Sequence, residues 1–426
     1  MKQLTKILCL LVFINLSCRE DEVFTKNVFS LTVEDGAWGN SALDNWMILH
    51  NTEGEIIDFK KLEFGKTMEF NSKVTIPQDQ ISITYLQVIK TTSGLEDQFF
   101  FNFRTHQNID LFETWTLKKL PDPLNISCPE PIGRATIKLN GFPLGFENRF
   151  SLSNKHSCAG GSSSFFPQTG LYELEVTLTD VADKYLLSFY DDNGTPYYTF
   201  LENIQDRETI ELSYKGSFKT FDIITESSFS NPISQQALVR GFELNQSITY
   251  NSGYLINFYL DFMGPVLPSP IKLGYLKNIS KYESLYSISY GSHFVIFSKS
   301  GDPIKELNPP NENFSIIDKS IDTFNYSSIG NCQQFDNSYY YNYALNNSQI
   351  FISWFIQNPG NGKRSPVTKL PEEILTKYAE LNNLNNLSHS GSRFFIKSSM
   401  TYKEHIGVKF KNFEAKPNDE IVLSYN

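Results

Sequence analysis

The sequence predicts a mainly β protein made of several sandwich domains, and three observations carry that prediction. Aromatic residues make up 14% of the 426-residue chain, 35 Phe and 22 Tyr among them, and with abundant Thr, Ile and Ser they favour strands over helices. Apolar and polar residues alternate in many short stretches, the period of a half-buried strand whose successive side chains face opposite ways. Clusters of Pro and Gly separate these stretches, as linkers and tight turns require.

The chain opens on a segment that is not part of the fold. Lys2 and Lys6 give a basic start, Ile7 to Ile14 form an apolar run, and Asn15-Leu16-Ser17 leads to Cys18 and then Arg19-Glu20-Asp21-Glu22. A basic start, a short apolar core and a small residue before a cut site make a secretory signal. The core is too short for a transmembrane helix, which takes about 20 residues. With the cut just before a cysteine, residues 1–22 resemble a bacterial type II lipoprotein signal. Asn15 stands where the usual box prefers Leu, and relaxed boxes of this kind look like those of Bacteroidota lipoproteins. There, a cysteine followed by a basic and then acidic residues is similar to the signal for the outer face of the outer membrane. The resemblance implies a covalent lipid on Cys18, a lipid-anchored protein of the outer membrane, and exposure at the cell surface. It implies location and not activity.

Cleavage after residue 17 leaves 409 residues, which suits three or four domains. The removed segment holds two lysines and no acid, so the net charge moves from −10 to −12. An acidic chain without a Lys/Arg cluster is a poor nucleic-acid binder, because that affinity comes mainly from neutralised phosphates. Cys9 leaves with the signal, which leaves Cys128, Cys158 and Cys332 beyond the anchor. Cys128 and Cys158 fall in one expected domain and are the disulfide candidate; pairing of either with Cys332 stays open.

Residues 18–26 are charged and read as a lipidated tether. A first sandwich is expected over 27–122: Phe29, Leu31 and Val33 alternate with polar neighbours, as do Ile81, Ile83 and Tyr85, and Phe99 to Phe103 form an aromatic core strand. Pro121, Pro123, Pro129 and Pro131 mark a linker. A second sandwich, 126–222, has Ala135/Ile137/Leu139, Tyr172/Leu174/Val176/Leu178 and Ile210/Leu212/Tyr214, with a loop at Ala159–Ser164. A third, 225–316, has strands at 254–262 and 293–297. A C-terminal β-rich domain, 317–426, contains one short helix over 371–384. Pro371 suits the first helical position, and Glu372 and Glu373 suit the positive end of the helix dipole. Ile374, Leu375, Tyr378 and Leu381 form its apolar stripe.

One pattern recurs: an apolar strand, a polar turn with Gly, and a second strand. It is seen at Trp46–Ile56, Tyr185–Pro196 and Phe294–Ile304. Gly supplies the positive φ that tight hairpins need. The pattern is similar to hairpins in tandem immunoglobulin-like or prealbumin-like β-sandwiches, which implies related architecture without a strict repeat.

No catalytic residue, metal ligand or cofactor motif emerges. None of the six histidines sits in a zinc-binding arrangement, and there is no nucleophile elbow or phosphate loop. Asp191-Asp192-Asn193-Gly194 lacks the oxygen spacing of a calcium loop and reads as a hairpin turn. Trp38, after Glu34-Asp35-Gly36, and the Tyr339–Tyr343 group, with Tyr339 and Tyr341 at period two, are the candidate ligand-binding aromatics. Packing is the plainer reading of each, since a tyrosine can bury its ring and bond at its tip. The function expected is a non-catalytic surface lipoprotein that binds a protein partner or a glycan. An accessory subunit of an outer-membrane complex and a hydrolase of extracellular polymers are the alternatives.

Overall fold

The computed structural model describes residues 25–39, 41–93, 96–120, 130–146, 149–156, 163–166, 171–179, 184–229, 232–244, 246, 253–260, 270–345, 348–360 and 364–425. The signal segment, Cys18, Cys128 and Cys158 lie outside them. The chain is mainly β, 58% strand against 7% helix, with several sheets and, among the described residues, no closed barrel. It divides into two units. Residues 1–120, 341–354 and 363–387 make the first, and residues 121–340, 355–362 and 388–426 the second. The expected 317–426 domain is thereby shared, because strands Gln334–Leu345 and Ser348–Pro359 each contribute to both units.

In the first unit, strand Lys26–Val33 lies between Thr67–Ser72, antiparallel, and Glu113–Leu117, parallel. Its alternation buries Phe29, Leu31 and Val33 completely. Phe29 packs on Phe70 and edge-on to Trp115, with ring centroids 5.6 and 5.3 Å apart. A second sheet runs Ser348–Pro359, Glu96–Asp110, Gln80–Ser93, Ala42–His50, Ile56–Lys61. His106 of that sheet meets Trp115 of the first at 5.6 Å, so the two sheets face each other.

The second sheet also carries the helical segment. A helix spans Glu372–Lys377, with Pro371 at its N-cap and Glu372 and Glu373 in its first turn. It breaks at Tyr378, and a 3-10 stretch follows over Ala379–Asn386. At the break Tyr378 turns inward: its ring meets Phe101 edge-on at 5.4 Å and its hydroxyl donates to Asp44. Asp44, Val88 and Phe101 are successive cross-strand partners, which puts them on one face. Asp44 is 3% exposed and takes Lys61 and Lys377 at 2.5 Å each. Burial acts to raise the Asp44 carboxyl, but hydrogen bonds from Lys377, Lys61 and Tyr378 outweigh it and hold the group below its ordinary value. A carboxyl lowered in the folded state contributes stability above its unfolded value, near 4, and that stability is lost as pH falls through the folded value. Asp44→Asn should therefore cost about 1–3 kcal/mol in urea unfolding at neutral pH. The difference between the two proteins should shrink as the pH drops below about 4.

In the second unit, two four-stranded sheets enclose one core. The first sheet is Ser163–Phe166, Leu171–Thr179, Pro131–Asn140, Thr209–Ser213, and the second Lys219–Thr220, Pro196–Glu202, Lys184–Tyr190, Phe150–Ser153. Ala135, Ile137, Leu139, Tyr172, Leu174, Val176 and Leu178 fill the core with Phe142, Leu187 and Phe189. Ser163 and Ser164, expected in a loop, begin a strand. Further along, Tyr254–Leu260, Ser234–Phe242, Lys281–Ser289, His293–Gly301, Asp419–Tyr425, Ser388–Lys397 and Gln334–Leu345 pair in that order. A second α-helix, Tyr402–Phe410, is not among the sequence expectations. It opens on a complete capping box between Thr401 and Glu404.

Two of the three recurring turns are the same hairpin. Asn51 and Asp191 each accept from two backbone N–H groups, at 2.9–3.0 Å, two and four residues on. Three residues after each stands a glycine at positive φ, Gly54 and Gly194. Each glycine lies under a Pro-[Val/Ile] segment: a Cβ on Gly54 would stand 2.7 Å from Pro366, and one on Gly194 2.4 Å from the Pro270 carbonyl. The third turn differs, since no strand follows Gly301 directly and the chain leaves the sheet at Asp302. Gly194→Ala combines an unfavourable φ with a backbone clash, and should cost about 1–3 kcal/mol by thermal melting. Gly141→Ala has an equally positive φ but open space, and should cost less.

Candidate binding surface

Trp46, Trp115 and Trp354 are core residues. Trp38 is not. It sits half-buried on the turn that follows strand Lys26–Val33, stacked on Phe64 with centroids 4.1 Å apart and planes 22° from parallel. Phe64 is 43% exposed and lies on the turn before strand Thr67–Ser72.

Both turns are tied to the same strand end. Gly65 N–H donates to Val33 O at 2.8 Å, and Val33 N–H donates to Lys66 O at 2.9 Å. On the other side, Glu34 N–H donates to Leu117 O, Leu120 N–H donates to Gly36 O, and the Glu34 carboxylate accepts from Lys119 N–H, all at 2.8–2.9 Å. The aromatic pair is thus presented by hydrogen-bonded turns, so little ordering remains for a ligand to impose.

Phe64 covers one face of the indole. Trp38 makes no other ring contact or hydrogen bond among the described residues, which leaves its N–H free to donate. Around the pair stand Asp35, whose carboxylate adjoins Gly65, and the Glu63–Lys66 ion pair at 2.5 Å. Leu120, 51% exposed and bonded through its N–H to Gly36 O, extends the stretch. A flat apolar ring with a donor at its edge and carboxylates beside it has the chemistry to stack on a sugar ring and bond its hydroxyls. It equally has the chemistry to anchor a protein partner.

The other aromatic candidates fare differently. Tyr339 is 1% exposed, edge-on to His389 at 5.6 Å. Its ring has no face left for a ligand, so the packing reading holds and the ligand role does not. Tyr341 is half-buried and stacks on Tyr343 at 5.1 Å, while the Tyr343 hydroxyl donates to Glu380 O at 2.8 Å. The structure pairs Trp38 with Phe64 rather than with Tyr341. Phe64 was not singled out by sequence; a Phe directly before a Gly in a polar turn was its one signal.

The Asp191–Gly194 turn is a hairpin whose carboxylates are already engaged. Arg149 reaches Asp192 at 2.6 Å and Lys215 reaches Asp191 at 2.9 Å. Asp336, 1% exposed, pairs with Arg393 at 2.8 Å and accepts from Gln334 at 2.9 Å. Burial raises its carboxyl, with Arg393 acting against that shift. His389 Nε2 lies 2.7 Å from the Ser392 hydroxyl, which itself donates to Asn337 at 2.7 Å. Ser392 is 1% exposed, so this pair braces a strand and offers no nucleophile to solvent. Cys332 is a free thiol raised by burial, 3.7 Å from the Tyr326 hydroxyl. A cavity of about 250 Å³ in the second unit is lined by Lys299, Lys305, Lys397, Glu306, Asp419 and Glu420 over Phe297 and Ile304. Its Asp419 is held by both oxygens to Lys397 at 2.8 Å.

No protein-family model matches this chain, and no curated protein matches it either.

Proposed function

We propose that this is a lipid-anchored, non-catalytic binding protein of the outer-membrane surface, and that its first unit binds a glycan through the Trp38–Phe64 platform. The observation that carries the reading is the position of Trp38: a tryptophan kept out of the core, fixed by a stack on Phe64, with its indole N–H unused. Burying a large aromatic is favourable, so a tryptophan held at the surface by two tied turns calls for a ligand. The signal-like segment at residues 1–22 supports the anchor at Cys18. A protein partner is the second reading, favoured by exposed Leu120 beside the turn that carries Trp38, because aromatic anchors flanked by apolar contacts are the usual centre of a protein interface. An accessory subunit of a membrane complex is the form this second reading takes. The hydrolase alternative draws less support: the 250 Å³ cavity has its aspartate paired with lysine and no histidine in its lining.

The test compares the intact protein with Trp38→Ala on cells, after light crosslinking, and on a panel of immobilised polysaccharides. Binding should fall by about tenfold or more, with stability changed by less than about 1 kcal/mol because Trp38 is outside the core. A saccharide lost by the variant supports the glycan reading, and a stoichiometric protein lost by the variant supports the second. Equal retention by both proteins, or melting of the first unit by the substitution, would remove Trp38 from the binding surface.

A further inference from the structure

The opposite end of strand Lys26–Val33 has a second exposed apolar surface. Phe112 stands in the turn between strands Glu96–Asp110 and Glu113–Leu117, 56% exposed, with φ at +65°. A bulky residue in the left-handed region is rare and strained. The turn is nevertheless fixed, since Phe112 N–H donates to Val28 O at 2.8 Å and Leu111 N–H donates to Asp79 O at 3.1 Å. Gln78, Asp79 and Asn108, also at positive φ, belong to the same end. Next to it Val74 is 69% exposed, held out by the Ser72 hydroxyl, which donates to Val74 O at 2.6 Å. Lys26 Nζ lies 4.4 Å over the Phe112 ring. Lys26, Lys73, Val74, Asp79 and Leu111 line a cavity of about 270 Å³.

We infer that this end is a membrane-contact surface, seated on the phosphate-bearing face of the bilayer to which Cys18 is anchored. The inference rests on the lipid-anchor reading. Eight residue steps separate Cys18 from Lys26, and at no more than ~3.6 Å each they reach about 29 Å. The tether therefore enters the fold at Lys26, inside this patch. An exposed Phe and Val flanked by two lysines match an interface: the apolar tips enter the headgroup region and the ammonium groups meet lipid phosphate. Asp79, Asp110 and Glu113 are the carboxylates at this end, so the apolar tips and the entry point of the tether, and not net charge, carry the contact. Two apolar tips hold weakly alone, but a covalent anchor keeps them at high effective concentration. The Trp38–Phe64 platform lies at the far end of the same strand, about 23 Å away at ~3.3 Å per residue, and would face outward.

The experiment follows lysine acetylation, peptide by peptide, by mass spectrometry. The lipidated protein in phosphatidylethanolamine–phosphatidylglycerol vesicles is compared with the same chain lacking residues 1–17 and lipid, in solution. Lys26 and Lys73 should react at least about threefold more slowly in the vesicles, with Lys66 and Lys119, at the far end of the same strand, unchanged. Phe112→Ser with Val74→Ser, or Lys73→Glu should the first pair fail to fold, should abolish the protection while the protein stays anchored. Equal reactivity of Lys73 in both preparations, with lipid on the Cys18 peptide, overturns the contact surface and leaves the anchor standing. A Cys18 peptide without lipid overturns both.

Discussion

The structure of the first unit depends on one strand, Lys26–Val33, being paired on both edges. Its partners run in opposite senses, Thr67–Ser72 antiparallel and Glu113–Leu117 parallel. Phe29, Leu31 and Val33 bury one face of it completely against Phe70 and Trp115, each burial contributing about 1.5–3 kcal/mol. A strand held this way cannot slip by one residue without turning its apolar set to solvent. Its two ends are therefore fixed points. One end ties down the turns that carry Trp38 and Phe64; the other ties down those that carry Phe112 and Val74.

Charge inside this fold is used for fastening. Asp44, Asp191 and Asp336 are all buried, and each meets a basic side chain: Lys61 and Lys377, Lys215, and Arg393 respectively. Asp44 and Asp336 act where a long-range connection closes, and Asp191 acts within one turn. Asp44 holds the Glu372–Lys377 helix to a strand more than 300 residues earlier, Asp191 closes a hairpin, and Asp336 faces its register partner Arg393 across two strands. Breaking such a pair leaves a buried charge without compensation. That accounts for buried carboxylates here without invoking catalysis.

Much of the fold was legible because alternation maps directly onto burial. Ala135, Ile137 and Leu139, and Tyr172 to Leu178, read as period-two strands and face one core. Where a bulge intervenes the reading loses phase. Ile81 and Ile83 are buried as their alternation predicts, but pairing with Glu96–Asp110 shifts between them, and beyond it Leu86 and Val88 take the core while Tyr85 does not. The helix expected over 371–384 is cut at Tyr378, because the tertiary hydrogen bond to Asp44 draws that residue inward. The Tyr402–Phe410 helix was signalled by Thr401 and Glu404 three residues apart, and its buried face is Tyr402, Ile406 and Phe410, four residues apart, a stripe too short to stand out beside the alternation around it. Of the site, Trp38 was visible as a tryptophan in a Gly-rich turn. Phe64, its stacking partner, was not, because the contact joins two turns that come together only when both pair with the Lys26–Val33 strand.

The most direct test of the account places a photo-crosslinking amino acid at Gly39, exposed beside Trp38 with open space at its Cβ, in intact cells, with Ile317, exposed on the second unit, as the control position. Irradiation at position 39 should yield a discrete adduct with one saccharide or protein species, absent when the probe stands at position 317 and lost when Trp38→Ala is added. Matching adducts from the two positions, or none from position 39 in a folded and anchored protein, would contradict the claim that the Trp38–Phe64 platform is the binding surface.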